Sequence, residues 1–173
     1  MKRSDFERLS VIRREHVPFW EKMDLPLIAF IDRLAVRLGE IPDFISTWRS
    51  PEKNAAVGGK PDSLHTTAPD RPEAKAADLI FKRTSLDKVY DAVREMDTAG
   101  DHIGGIGLYL TPQPDGHVAH SIHLDTGPRH SSGRPRLWGR PENGQYTSIG
   151  VILAKLGPGG TIAGALFLFF CLV

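Results

Sequence analysis

Cysteine is all but missing: Cys171 is the single one in 173 residues. No internal disulfide fastens this chain, although many exported proteins do without one and the compartment stays open. A surplus of charge is missing as well. With 22 basic against 21 acidic residues there is no polyanion-binding signature, so composition gives no support to a nucleic-acid partner. Residues 1–8 are too charged, and have no apolar run behind them, to read as a secretory signal. Internal repeats and low-complexity tracts are absent too. What is there is an ordinary globular composition, 40% hydrophobic and 25% charged, in a chain long enough for one domain with a modest core.

Periodicity divides the chain. Residues 1–24 read as a helical flank that packs on the domain, amphipathic up to about His16 through Phe6, Leu9, Val11 and Ile12, with Pro18 ending the helix. Asp24 then caps a helix whose first turn holds Pro26, and Leu27, Ile28, Ile31, Leu34, Ala35 and Leu38 recur at helical spacing until Gly39. A strand over 42–48 delivers Arg49 to a loop rich in turn formers, with one helical turn over 54–57. The apolar run 76–81 reads as a buried strand carrying Asp78 at its beginning. Leu86, Val89, Tyr90, Val93 and Met96 mark a helix capped by Ser85 or Thr84 and stopped by Gly100. Strands over 103–110 and 118–124 read as a hairpin turned at 112–116, and 126–146 as loop. This order predicts an α+β domain over 25–146, an antiparallel sheet with flanking helices, followed by an apolar tail over 147–173. Residues 156–173 hold no charge and come near the ~17–25 residues of a spanning helix. A membrane anchor, a hydrophobic core element and an altered ending all fit that stretch.

One short segment gathers the chemistry: Ala119-His120-Ser121-Ile122-His123-Leu124-Asp125-Thr126-Gly127. Strand alternation puts Ser121, His123 and Asp125 on one face and His120, Ile122 and Leu124 on the other. A catalytic zinc takes three protein ligands and leaves its fourth position to water, so partners must come from elsewhere. The best lie upstream at Ser63-Leu64-His65 and in the strand around Asp78. A carboxylate in an otherwise apolar strand is costly to bury alone, which calls for a metal or an arginine beside it.

Five motifs in order, Trp48-Arg49-Ser50-Pro51-Glu52-Lys53-Asn54-Ala55-Ala56-Val57-Gly58-Gly59, Ser63-Leu64-His65, Ala76-Ala77-Asp78, Gly104-Gly105-Ile106-Gly107 and Ile122-His123-Leu124-Asp125, resemble the zinc D-Ala-D-Ala carboxypeptidase and murein endopeptidase family. That family shares its fold with lysostaphin-type peptidases and the hedgehog signalling domain, and the resemblance spans roughly residues 25–140. It implies His65, Asp78 and His123 as zinc ligands. Asp78 stands further from His65 than the family's usual spacing, and a six-residue insertion over roughly 68–73 accounts for this, with Asp70 as the weaker rival ligand. The resemblance also makes Arg49 the residue that polarises substrate through paired hydrogen bonds, and Ser63 a hydrogen-bonding support of the loop or the ligand. Asp125 either orients His123 or caps the turn at Thr126-Gly127. Trp138 resembles the tryptophan of the family's terminal Arg-x-Trp segment. Where relatives carry a Glu or Asp general base, three positions before the third ligand, this chain has His120. A neutral imidazole there accepts a proton near pH 7, while the alternation argument turns it away unless a bulge re-aims it.

The implied activity is zinc-dependent hydrolysis of peptide bonds in peptidoglycan stem peptides or cross-links containing D-amino acids, by a monomer read as a murein carboxypeptidase or endopeptidase. The alternative is a zinc-containing peptide-binding domain of the same fold with little or no peptidase activity. The substrate implies the cell envelope or periplasm, reached by phage-type delivery or through the tail, which would also supply any membrane contact. His102, His117 and His130 have no motif around them and read as surface.

Overall fold

The structure, a computed structural model, describes residues 2–157. The C-terminal stretch 158–173, on which the membrane-anchor reading falls, lies outside the described residues. Among the described residues no helix is long and apolar enough to cross a membrane.

Helix α1 (Leu25–Leu38) begins where Pro26 suits the first turn and ends at Gly39, whose φ of +64° only glycine adopts without strain. Strand β1 (Asp43–Ser46) leads to the short helix α2 (Pro51–Ala56), capped by the Ser50 hydroxyl, which accepts from the Lys53 N–H. Then come β2 (Ala76–Ile80), α3 (Leu86–Thr98), the hairpin β3 (Gly105–Pro112) and β4 (Val118–Asp125), β5 (Arg136–Arg140) and α4 (Ile149–Lys155). One mixed sheet runs β1-β2-β4-β3-β5, so the chain is α+β as the sequence predicts.

The two faces of the sheet are different in kind. Leu79, Ile106, Leu108, Ile122 and Leu124 are fully buried on one face, where α3 packs on β4 and α1 lies beside α3. The alternate positions of the same strands, Asp78, Gly105, Gly107, His123 and Asp125, make the other face. Period-two alternation therefore separates a hydrophobic core from a polar row within single strands.

Two expectations are corrected. The N-terminal flank is not a continuous helix to His16 but three short 3-10 turns, Arg3–Arg8, Arg14–His16 and Trp20–Lys22. The cause is tertiary. Asp32 on α1 accepts the N–H groups of Ser10, Val11 and Ile12, each at 2.8 Å, which removes the donors that a helix would use there. Phe6, Ile12 and Val17 still bury themselves in the core. The second correction is β5, in a stretch expected to be loop. It pairs in parallel with β3, while the other pairings are antiparallel. Helix α4 follows and seats Ile152 against Gly139 of β5, where a Cβ would come within 2.4 Å of the isoleucine.

Hydrogen bonds from three backbone N–H groups hold the Asp32 carboxyl below its ordinary pKa in spite of the burial that pushes it up. A folded-state pKa below the unfolded one means a stabilisation that is complete at neutral pH and is lost as pH falls below about 4. Asp32→Ala is expected to cost about 3 kcal/mol in urea unfolding at pH 7, and the gap between wild type and variant should close as the unfolding is repeated toward pH 2.

Candidate metal centre

Strand register builds the site. β2 sets Asp78 opposite Ser46 of β1 and His123 of β4, and β3 sets Gly107 opposite His123 and Trp138 of β5. Ser46, Asp78, His123, Gly107 and Trp138 therefore form one row across all five strands. A register irregularity between Phe44 and Ser46 is what brings Ser46 to this row.

His65 enters from the loop between α2 and β2. Its backbone is stitched down at both sides: the Arg49 N–H donates to the His65 carbonyl at 2.7 Å and the Lys75 N–H to the Leu64 carbonyl at 2.8 Å. Its Nδ1 lies 2.7 Å from the Thr47 carbonyl oxygen. A carbonyl only accepts, so Nδ1 carries a proton and donates to it, and Nε2 is turned toward the row. Ser63 supports this loop, its hydroxyl accepting from the His65 N–H at 3.3 Å.

Three donor atoms converge. His65 Nε2 stands 3.4 Å from both Asp78 Oδ2 and His123 Nδ1, and His123 Nδ1 stands 2.8 Å from Asp78 Oδ1. All three residues are buried. Ligands about 2.0–2.1 Å from a tetrahedral zinc are about 3.3–3.4 Å apart, so two of the three separations already match, and the third is closed by a hydrogen bond. Two imidazoles and a carboxylate are a donor set that suits such an ion. Among the described residues this group could hold a metal ion.

The electrostatics are those of a compensated buried charge. Burial pushes the Asp78 carboxyl up, but hydrogen bonds and charge from His123 and His65 hold it well below the usual carboxylate range. Burial pushes His123 down, yet Asp125 and Asp78 outweigh it and raise the ring to about 9. Arg49 completes the balance. Its Nη2 donates to Asp78 Oδ2 at 2.8 Å and its Nε to the Ser46 hydroxyl at 2.8 Å.

Around His123 a second layer is built from β3 and β5. Asp125 accepts from Arg136 Nη2 at 2.6 Å and from the Gly127 N–H at 2.8 Å, both on Oδ1. Its Oδ2 lies 3.4 Å from His123 Nε2, close enough for an ion pair but without hydrogen-bond alignment. Asp125 thus serves the turn and also flanks the ring. Trp138 packs over His123 with ring centroids 5.1 Å apart.

The other sequence candidates fall elsewhere. Asp70 is exposed in a tight turn closed by paired backbone bonds between Ala68 and Arg71, and it is not one of the residues that group around the site. His120 is a correction. The β3–β4 register runs unbroken from Val118 to Asp125, no bulge re-aims the side chain, and His120 stands exposed on the opposite face in a groove with Ile122, Phe81 and the start of α3. It is not brought to the metal cluster. Sequence reading also missed the Thr47 carbonyl and Arg136. A carbonyl leaves no mark in a sequence, but the Arg136-x-Trp138 alternation was a legible sign of one strand face.

The family model of Peptidase M15 matches residues 22–111. That span holds Arg49, His65 and Asp78, and it stops before β4, so His123 joins them through the fold. No curated protein and no solved structure matches the chain.

Gly107 makes room for Trp138, because a Cβ there would come within 2.5 Å of the indole Nε1. Gly107→Ala should push the indole off His123 and cost about 1–3 kcal/mol of overpacking. Urea unfolding followed by tryptophan fluorescence reads both effects, and a variant with unchanged stability and emission would show that the contact is not tight.

Proposed function

The chain belongs to the Peptidase M15 family, and on that premise we propose that it is a zinc-dependent peptidase hydrolysing peptide bonds of peptidoglycan stem peptides or cross-links. The observation that carries the reading is the convergence of His65, Asp78 and His123 from a loop and two strands onto a buried point beside Arg49. Neighbourhoods in sequence do not explain that meeting, and packing alone would not choose two imidazoles and a carboxylate. A divalent ion held there supplies Lewis-acid polarisation of a carbonyl and water acidified to a pKa of about 7.

The chain's own residues do the rest. His65 and His123 are locked in orientation by Thr47 and Asp78, so the ring edges that would face an ion are fixed. Arg49 is anchored by two of its nitrogens, and no described residue takes a hydrogen bond from its Nη1. A cation held this way receives a substrate carboxylate or the negative charge that builds on a carbonyl oxygen. The peptidoglycan substrate and the cell-envelope location that goes with it rest on the motif resemblance.

A second reading keeps the metal and drops the catalysis. It is favoured by the direction of His120, which stands exposed on the face of the sheet opposite the metal group. The site would then bind a peptide without cutting it.

Zinc-loaded protein is expected to take up one ion per chain and to release new amines from purified murein. His123→Ala should lower zinc affinity by more than the about 10–100-fold typical of an outer partner and abolish amine release. Equal zinc uptake by wild type and variant would remove the metal-centre reading. Zinc binding with no release by either would leave the binding domain.

A further inference from the structure

The open side of the centre is set by what lies in the rows next to it. On one side Ala76, Asp125 and Gly105 pair across the strands and are buried. On the other side Tyr109 pairs with Ser121 and with Arg140; Tyr109 is half-buried and Arg140 exposed. The second of these rows is therefore the more open one.

Tyr109 is the first side chain on this face of β3, since the two preceding positions, Gly105 and Gly107, have none. Its ring leans back toward the metal row. Its hydroxyl oxygen accepts from Trp138 Nε1 at 3.2 Å, and Trp138 belongs to that row. The phenol ring also lies 6.2 Å from the His123 ring. With one lone pair used by the indole, the hydroxyl proton has no acceptor among the described residues. Burial and the nearby Asp78 carboxylate push the phenol above its ordinary pKa, so it remains a donor at every physiological pH.

We propose that the Tyr109 hydroxyl donates a hydrogen bond to the carbonyl oxygen of the substrate peptide bond, from the side of the centre opposite Arg49. This rests on the peptidase reading. Arg49 stands at the β1 edge beside Asp78, and Tyr109 stands across His123 toward β5, so an oxygen between them meets donors from both directions. The indole fixes the phenol before substrate arrives, and a donor oriented in advance costs no rearrangement as charge builds on the oxygen. No proton leaves Tyr109. The water oxygen bonds to the carbonyl carbon, the carbon–nitrogen bond breaks, and the water's proton ends on the amine, while the phenol stays protonated throughout.

The test compares wild type with Tyr109→Phe, which keeps the ring. On soluble muropeptides, kcat is expected to fall about 100–1,000-fold with KM within about threefold, and zinc content and Tm should not change. Binding of a phosphinate analogue of D-Ala-D-Ala, followed by calorimetry, should weaken by a similar factor, because its oxygens imitate the charged carbonyl oxygen. An unchanged kcat, or unchanged phosphinate affinity, overturns the role of Tyr109 and leaves the peptidase reading standing. A wild-type protein that takes up zinc and leaves muropeptides intact overturns both.

Discussion

The buried carboxylate of Asp78 is the constraint from which the rest of the site follows. An unpaired charge at that depth would be prohibitive, and three partners offset it: His123, His65 and Arg49 all lie within 3.4 Å of its oxygens. Each partner is delivered by a different part of the chain. β4 brings His123, the loop before β2 brings His65, and the end of β1 brings Arg49. Removing the carboxylate would leave two imidazoles and a guanidinium facing one another, so the arrangement is cooperative. A cation at the same point would take over part of the compensation, which is why a structural ion-pair cluster and a metal centre look alike in outline. The orientation of His65, whose Nδ1 is bound by the Thr47 carbonyl so that Nε2 faces Asp78 and His123, favours the metal.

The sheet makes this possible by keeping its two faces apart. One face is filled by leucine and isoleucine under α1 and α3, and it supplies rigidity. The other gives up hydrophobic burial in favour of a polar row, with glycines at Gly105 and Gly107 so that Asp125 and Trp138 approach the strand closely. Rigid strands hold side chains more exactly than loops do. Of the three candidate ligands only His65 comes from a loop, and backbone and side-chain hydrogen bonds tie that loop down.

Much of this was legible in the sequence, and the failures are instructive. Helices α1 and α3 followed from their apolar periodicity and terminal signals, and β2 from its apolar run. Asp78 stood out because a charge interrupts that run. The N-terminal flank failed because Asp32, some 20 residues downstream, takes the backbone donors of a segment whose pattern otherwise suits a helix. β5 failed because its partner is distant and its flanks are rich in Pro, Gly and Arg. His120 could be read either way from the sequence. Alternation turned it from the site, the motif drew it in, and the unbroken β3–β4 register decides for alternation.

The sequence by itself determined the α+β class, the alternation that gives each strand a core face and a polar face, and the residue types able to hold a cation, because these depend on local pattern and side-chain chemistry. Tertiary structure alone decided that positions 65, 78 and 123 meet, that Asp70 and His120 do not join them, and that Tyr109 turns toward Trp138. Those outcomes depend on strand register and on which groups compete for the same hydrogen-bond donors, and both are settled only when distant segments pack together.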